Sequence, residues 1–554
     1  MNFYVDDLNL QQLMKKYLDE ELFNWANDEL IDFGRQCANE IDRRAIHTDR
    51  DGQPRLIKYD AYGNDISHVW VNEGYKQTVK DTYNRGIVGY IHKTIPKLGI
   101  KGNYIYSYAQ GYLLSQTEPG FYCPVTLSMA AAYLIERYAD DWLKEKYLPH
   151  LLSTGETELY EGATFLTERQ GGSDVGANVV KAVKEGEHYR IFGEKYFASN
   201  AGQCGITTIL ARIEGAPSGT KGLSLFLVPW KNEDGTNNGL SIRRLKDKLG
   251  VRAVPSAEVE FDGAKAFLIG DASKGFYYMM EALNLSRICN AIASIGIMRR
   301  AFSEAKQYAE KREAFGNQLT NYPMIKETLS RLASIQEVQT SAVFKLVALF
   351  DRVVGKELGT NEEQVLIRLL IAVLKMRTAE EAIHFSHEAI EIHGGNGYIE
   401  DFVTPRLLRD AQVLTVWEGS ANILGLEVIR LLYKMNALTH FNSFIEKKLE
   451  DVPSSLTDEK HLIELKLKEL NDFIKTIHSF DSNTQTYYAK KLANNMADLI
   501  ETAVSLEDAK YDTRKEHIAK VVVQERLKKD KWDRERYTLN YFEAIVFNNL
   551  PIKK

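Results

Sequence analysis

The spacing of apolar residues changes twice along this chain, and those two changes set what it can fold into. Up to about residue 157, Leu10, Leu13, Met14 and Tyr17 recur at three- and four-residue intervals, as do the apolar residues of 127–134 and 142–152. Such spacing predicts amphipathic helices. Residues 59–70 carry Gly, Asn and Asp without periodicity and read as a loop, and Ser153, Thr154 and Gly155 close the helical stretch. From about 158 to 275 the pattern turns to β-branched and aromatic runs: YRIFGEKYFAS (189–199), ITTILARI (206–213), LSLFLVP (223–229) and AEVEFDGAKAFLI (257–269). Turn residues at 215–219, 234–238 and 262–263 separate them, and no helix-length pattern lies between. A barrel or sandwich is expected, not a β-α-β sheet. Helical spacing then returns over 279–316, 324–355, 361–392 and 406–435, four long amphipathic helices for which a bundle is the default. Beyond about 440 the chain is helical and more polar.

The expected fold is therefore mainly α with a central β domain. It comprises an N-terminal helical domain (1–157), a middle β-barrel or sandwich (158–275), a helical bundle (276–438) and a helical extension (439–554). A length of 554 residues suits three to four domains. With 44% hydrophobic residues, 12 Pro and 37 Gly, the disordered, collagen-like and disulfide-framework classes are excluded. The formal charge of −6 removes any global electrostatic case for nucleic acid. Cys37, Cys123, Cys204 and Cys289 form no CxxC pair and no metal-ligand spacing, as expected for reduced thiols and no metal site. The N-terminus lacks a basic start and an apolar core, and no apolar run reaches the roughly 18 residues of a membrane span. The richest run, 365–374, has Arg368 inside it and Lys375 beside it. A cytoplasmic protein is expected.

P-loop, HExxH, GxSxG and strand-linked GxGxxG signatures are missing. Three polar or Gly-rich clusters remain. Thr167-Glu168-Arg169-Gln170-Gly171-Gly172-Ser173-Asp174 offers successive backbone N–H groups and hydroxyls for an anion or a cofactor edge, or is an ordinary two-glycine loop. His393-Gly394-Gly395-Asn396-Gly397-Tyr398 follows an apolar helix; one glycine would terminate it, and the surplus suits close approach of a ligand. Trp417-Glu418-Gly419-Ser420-Ala421-Asn422 sets a carboxylate in an apolar stretch, either as a general base or as an acid capping the next helix.

LTERQGGSDV (166–175), KYFASN (195–200), KREAFGNQL (311–319), IHGGNGY (392–398) and LLRDAQVLTVWEGSANI (407–423), in this order, resemble the acyl-CoA dehydrogenase family. KDKLGVRAVPSAEVEF (246–261) and RICNAIASIGIMRRAF (287–302) are similar to its AidB-like, alkylation-response branch. The resemblance spans about 120–435. It implies FAD bound non-covalently in a cleft between β domain and bundle, and a homotetramer.

Position by position, the resemblance implies that Thr167 and Ser173 line the flavin ring and its phosphate arm. Phe197 would shield the ring, with Ser199 as a hydroxyl near flavin N5. Arg312 and Phe315 fill an R-x-x-F-G motif whose arginine grips the FAD pyrophosphate of a neighbouring subunit. Gly394, Gly395 and Gly397 would admit the adenosine side, with Glu391 placing a charge nearby, while Ser420 and Asn422 replace T and Q of E-G-T-x-Q. Glu418 takes the place of the catalytic base. Some relatives carry the base at the position of Ser286, which cannot do that work. Arg287 and Trp417 fall on the substrate side, and Trp417 and His393 depart from the family's usual Tyr and Phe.

The implied activity is α,β-dehydrogenation of an acyl-CoA, with electrons passed to an electron-transfer flavoprotein. The alternatives are an AidB-like nucleic-acid-binding or alkylation-protection flavoprotein, and an acyl-CoA oxidase. Residues 441–554 hold 20 Lys and Arg against 20 Asp and Glu, and the mildly basic 514–536 interleaves 9 with 5. That pattern suits a solvated, ion-paired helix, so nucleic acid is not expected as a partner. The cluster Arg243, Arg244, Lys246, Lys248 and Arg252 would contact CoA phosphates or be solvated, the second being favoured.

Overall fold

A computed structural model describes residues 1–528 and 535–549. The basic stretch 514–536 thus lies partly outside the described residues. The N-terminal part comprises α1 (Leu8–Tyr17), α2 (Glu20–Gln36), α3 (Asp42–Arg50), β1 (Arg55–Tyr59), β2 (Asp65–Trp70), α4 (Glu73–Tyr83), α5 (Gly89–His92), α6 (Tyr104–Ser115), α7 (Pro119–Tyr138) and α8 (Asp141–Leu151). Residues 59–70, read as a loop, form instead the turn and second strand of an antiparallel hairpin, with Leu56 opposite Val69. Its strands bury little beyond Ser67 and Val69, so burial imposes almost no alternation for the sequence to display.

Seven strands follow: β3 (Glu161–Phe165), β4 (Lys181–Glu185), β5 (His188–Ser199), β6 (Cys204–Ile213), β7 (Leu223–Pro229), β8 (Leu240–Leu245) and β9 (Ser256–Leu268). The ladder runs β3-β6-β4-β5-β9-β7, and pairing of β6 with β7 closes it into a barrel. Phe165, Phe226, Ile191, Ile209, Ile242 and Val259 fill the interior. Each such side chain contributes about 1.5–3 kcal/mol on burial.

The helical C-terminal part comprises α9 (Gly275–Lys311), the short strands β10 (Glu313–Ala314) and β11 (Asn317–Gln318), α10 (Pro323–Phe350), α11 (Asn361–His393), α12 (Thr404–Leu414) and α13 (Ala421–Lys434). Beyond these come α14 (Ala437–Lys448), α15 (Thr457–His478), α16 (Ser482–Tyr487), α17 (Ala489–Asp508), α18 (Thr513–Leu527), α19 (Tyr537–Asn540) and α20 (Phe542–Phe547). The helix expected over 406–435 is two helices, α12 and α13, because the chain turns at 415–420. Apolar residues continue through the turn, which hides the break from periodicity; Gly419 and the N-cap Ser420 mark it.

The chain forms two compact units: Met1–Asp7 with Leu18–Cys289, and Leu8–Tyr17 with everything from Asn290 on. In the second, buried ion pairs tie the extension to α10 and α11. Glu337 lies 2.8 Å from Arg514 and Lys345 lies 2.6 Å from Asp508, while Arg526 bridges Glu381 and Glu501 at 2.6 Å each. Among the described residues no helix is long and apolar enough to cross a membrane.

Candidate functional site

In the first unit, β3 ends at Phe165 and the Thr-Glu-rich segment leaves it as a loop. Its anchor is Glu168, which turns inward to Lys195 Nζ at 2.8 Å and accepts from the backbone N–H groups of Val179 (2.6 Å) and Val180 (3.3 Å). Both side chains are buried, and burial pushes the Lys195 pKa down against the pull of Glu168. Asn178 Nδ2 donates to the Leu166 carbonyl, and Tyr196 N–H donates to the Thr167 carbonyl. These bonds fix the backbone while leaving Thr167 half-buried and Ser173 exposed. Gly171 takes φ +123, which a side chain would resist, and a Cβ at Gly172 would lie 2.6 Å from Thr167 Oγ1.

Phe197 and Ser199 stand two apart near the end of β5, where the pairing with β9 shifts register between Lys195 and Ala198. Phe197 is 54% exposed, edge-on to Tyr196, and Ser199 Oγ lies 3.2 Å from Ser256 Oγ. Lys246 Nζ sits 4.9 Å from the Phe197 ring and 2.6 Å from Glu258, whose carboxyl it holds below the usual range. The neighbouring basic residues are likewise engaged: Arg244 with Glu258, Arg243 with Glu194, and Lys248 with the carbonyls of Val251 and Val254. Arg287 is buried, its Nη1 donating to Asn284 Oδ1 at 3.1 Å.

In the second unit, Arg312 is exposed and opens the β10–β11 hairpin. Phe315 and Gly316 form its two-residue turn with φ +50 and +80, a type I′ signature. A phenylalanine in that region is unusual, and this one is 97% exposed.

The glycines after α11 sort into two kinds. A Cβ at Gly397 would strike the Ile390 carbonyl at 2.5 Å, whereas one at Gly394 or Gly395 meets nothing within 4 Å. Gly397 thus serves internal packing; the other two expose bare backbone. His393 is buried, stacked on Tyr308 at 4.2 Å, and its Nδ1–H donates to the Ala389 carbonyl. Burial lowers its pKa, so it is neutral at pH 7. Glu391 is exposed, with its carboxylate 3.6 Å from His387.

Glu418 sits in the turn between α12 and α13 with φ +55, followed by Gly419 at φ +106. Ser420 takes the N-cap of α13, and no acid lies in that helix's first turn. Glu418 thus lies two residues before that N-cap, outside the helix. Its Oε2 accepts from Asn290 Nδ2 on α9 at 3.1 Å. Lys375, buried on α11, donates to the Gly419 carbonyl at 2.7 Å. Trp417 is half-buried beside Glu418; Ser420 and Asn422 are exposed. Asn290 and Lys375 are absent from the sequence-derived candidates. The signal was a lone polar residue in or beside an apolar helical run, which periodicity alone does not connect to a turn far along the chain.

The three segments match family descriptions in order. Residues 1–155 match the adaptive response protein AidB N-terminal domain, 163–264 the acyl-CoA dehydrogenase middle domain, and 273–432 the acyl-CoA dehydrogenase C-terminal domain. The chain belongs to the acyl-CoA dehydrogenase family. Within it, the chain is similar to acyl-CoA dehydrogenase family member 11 of Caenorhabditis elegans, 32% identical over 85% of this chain and 78% of that protein. It is likewise 32% identical to the putative acyl-CoA dehydrogenase AidB of Escherichia coli, over 81% and 82%. The crystal structure of Caenorhabditis elegans ACDH-11 in complex with C11-CoA superposes with a TM-score of 0.88 at 28% identity, covering 99% of this chain and 95% of that one.

Proposed function

We propose that this chain binds FAD and removes two hydrogens from the α and β carbons of an acyl-CoA thioester, with Glu418 as the general base. The observation that carries the reading is the setting of Glu418: a carboxylate in a left-handed turn that accepts a hydrogen bond from an amide on α9. The residues present suit FAD. Gly394 and Gly395 offer backbone with open space where side chains would stand, and Phe197 is a solvent-facing ring on a strand beside a half-buried hydroxyl. FAD, when bound, supplies the hydride acceptor.

In this reading Thr167, Ser173 and Ser199 donate hydrogen bonds to the cofactor and Phe197 covers its ring. Arg312 and Phe315 serve the cofactor of a second copy in a homotetramer. Gly394 and Gly395 pass against its adenosine side, with Glu391, Ser420 and Asn422 nearby. Trp417 and Arg287 bound the acyl thioester. Glu418 takes the α-proton: the C–H bond breaks, an O–H bond forms, and the carboxyl becomes neutral. The four segments meeting at 157/158, 275/276 and 438/439, and electron-transfer flavoprotein as electron acceptor, belong to the same reading. The C11-CoA held by the Caenorhabditis elegans relative supports a thioester ligand.

The test is anaerobic mixing of the purified holoprotein with a panel of acyl-CoA thioesters of different chain length. Loss of the visible flavin absorption with at least one of them is expected. A protein that carries FAD and keeps its colour with every thioester would overturn the dehydrogenase reading.

A further inference from the structure

Resting on Glu418 as the base, we propose that Asn290 is a positioning residue that sets the rotation of the Glu418 carboxylate. Asn290 is 4% exposed on α9, and its Nδ2 makes two bonds: to the Leu414 carbonyl at 3.2 Å and to Glu418 Oε2 at 3.1 Å. Leu414 is the last residue of α12, so that carbonyl has no intrahelical partner. One NH₂ group therefore spans the turn, from the end of α12 to the carboxylate. Both acceptors are oxygens, which forces the amide orientation, since a flipped amide would set its oxygen against a carbonyl and a carboxylate.

The orientation leaves Asn290 Oδ1 buried without a hydrogen-bond partner among the described residues. A leucine shares the branching at Cγ and would leave no such orphan. Packing thus gives no reason for an amide here; the grip of Nδ2 on the turn does. The turn needs holding, because Glu418 at φ +55 lies where non-glycine residues persist only if their surroundings over-determine them. Lys375 Nζ, on the Gly419 carbonyl, is a second tether and a charged group that reaches this turn from α11. With Oε2 engaged by Asn290, rotation of the carboxylate is restrained, and a protonated carboxyl can still accept the amide hydrogen at Oε2.

The experiment compares native protein with N290L, N290A, N290D and E418Q, all retaining Lys375. Three readouts are taken: kcat and KM for an acyl-CoA that bleaches the native protein, FAD content with melting temperature, and the carboxyl infrared band that E418Q removes, followed against pH. N290L is expected to lower kcat about tenfold with KM within twofold. Its Glu418 infrared midpoint should rise by about one pH unit, because a donor to a carboxylate favours the ionised form. N290D should raise the midpoint further through like charge. N290A removes the amide without filling the site, so the outcome does not depend on N290L folding. Unchanged kcat and midpoint in folded N290L or N290A would overturn the proposal and leave the base assignment standing. Full activity in E418Q would overturn the base assignment itself, whatever the Asn290 variants do.

Discussion

The loop after β3 and the turn before α13 carry their polar groups in opposite ways. In the loop, the buried Glu168–Lys195 pair and a set of backbone bonds hold the main chain, and Thr167 and Ser173 sit on that frame. In the turn, the chemical group itself is held: Asn290 grips the Glu418 carboxylate and Lys375 the next carbonyl, on a backbone in the left-handed region. The first arrangement suits groups that bind without changing state. The second suits a group that gains a proton and must keep its aim through the change.

This contrast can be broken most sharply at Glu418. E418Q should slow acyl-CoA-dependent flavin bleaching by about 10²–10⁴-fold with melting unchanged; a native rate would remove the turn from the chemistry. The loop should behave in the reverse sense. Removing one partner of its buried pair, as in E168Q, should cost about 3–5 kcal/mol of unfolding free energy in urea titrations. FAD occupancy should fall with it. An E168Q protein as stable as native would mean that the frame lies elsewhere.

The first region also carries a pH dependence of its own. Glu161, at the start of β3 and accepting from Tyr83 Oη at 3.1 Å, is pushed up to about 7 by burial. Its folded-state pKa lies above the unfolded value, so its stabilising contribution is full below about pH 4.5 and is lost as the pH rises through 7. E161Q should therefore gain about 2–3 kcal/mol over native protein between pH 5 and pH 8, measured by urea unfolding. A pH-independent difference would contradict the burial.

The smallest effects separate the glycines. Gly397→Ala should lose about 1–3 kcal/mol to the clash with the Ile390 carbonyl, whereas Gly395→Ala should stay within about 0.5 kcal/mol in melting. If Gly395→Ala nevertheless lowers FAD content, its open backbone faces the cofactor. Equal stability costs at both sites would erase the distinction.

Much of the fold was legible because burial imposes a period. β6 and β7 are apolar runs buried almost throughout, and β5 and β9 are longer runs that mix buried with exposed positions. All four fill a barrel, while α9, α10 and α11 carry apolar stripes. β3, β4 and β8 have five or six residues each, too short to show a period, and in β4 and β8 charged residues occupy the exposed positions. The hairpin over 55–70 and the break at 415–420 escaped for the reasons already given: one buries too little, the other too evenly. In the candidate site, the hydroxyls, glycines and Glu418 lie in compact motifs and could be read locally. Asn290 stands 128 residues from Glu418, and Lys375 stands 44 from Gly419. Contacts of that separation exist only once the helices pack, so local pattern cannot reveal them.

The most direct test of the carboxylate's role isolates the proton from the hydride. An acyl-CoA with deuterium on the α carbon and no hydrogen on the β carbon can exchange with solvent but cannot be dehydrogenated. The holoprotein should wash out that deuterium, and E418Q should do so at least about 100-fold more slowly. Equal washout rates for the two proteins would contradict Glu418 as the base.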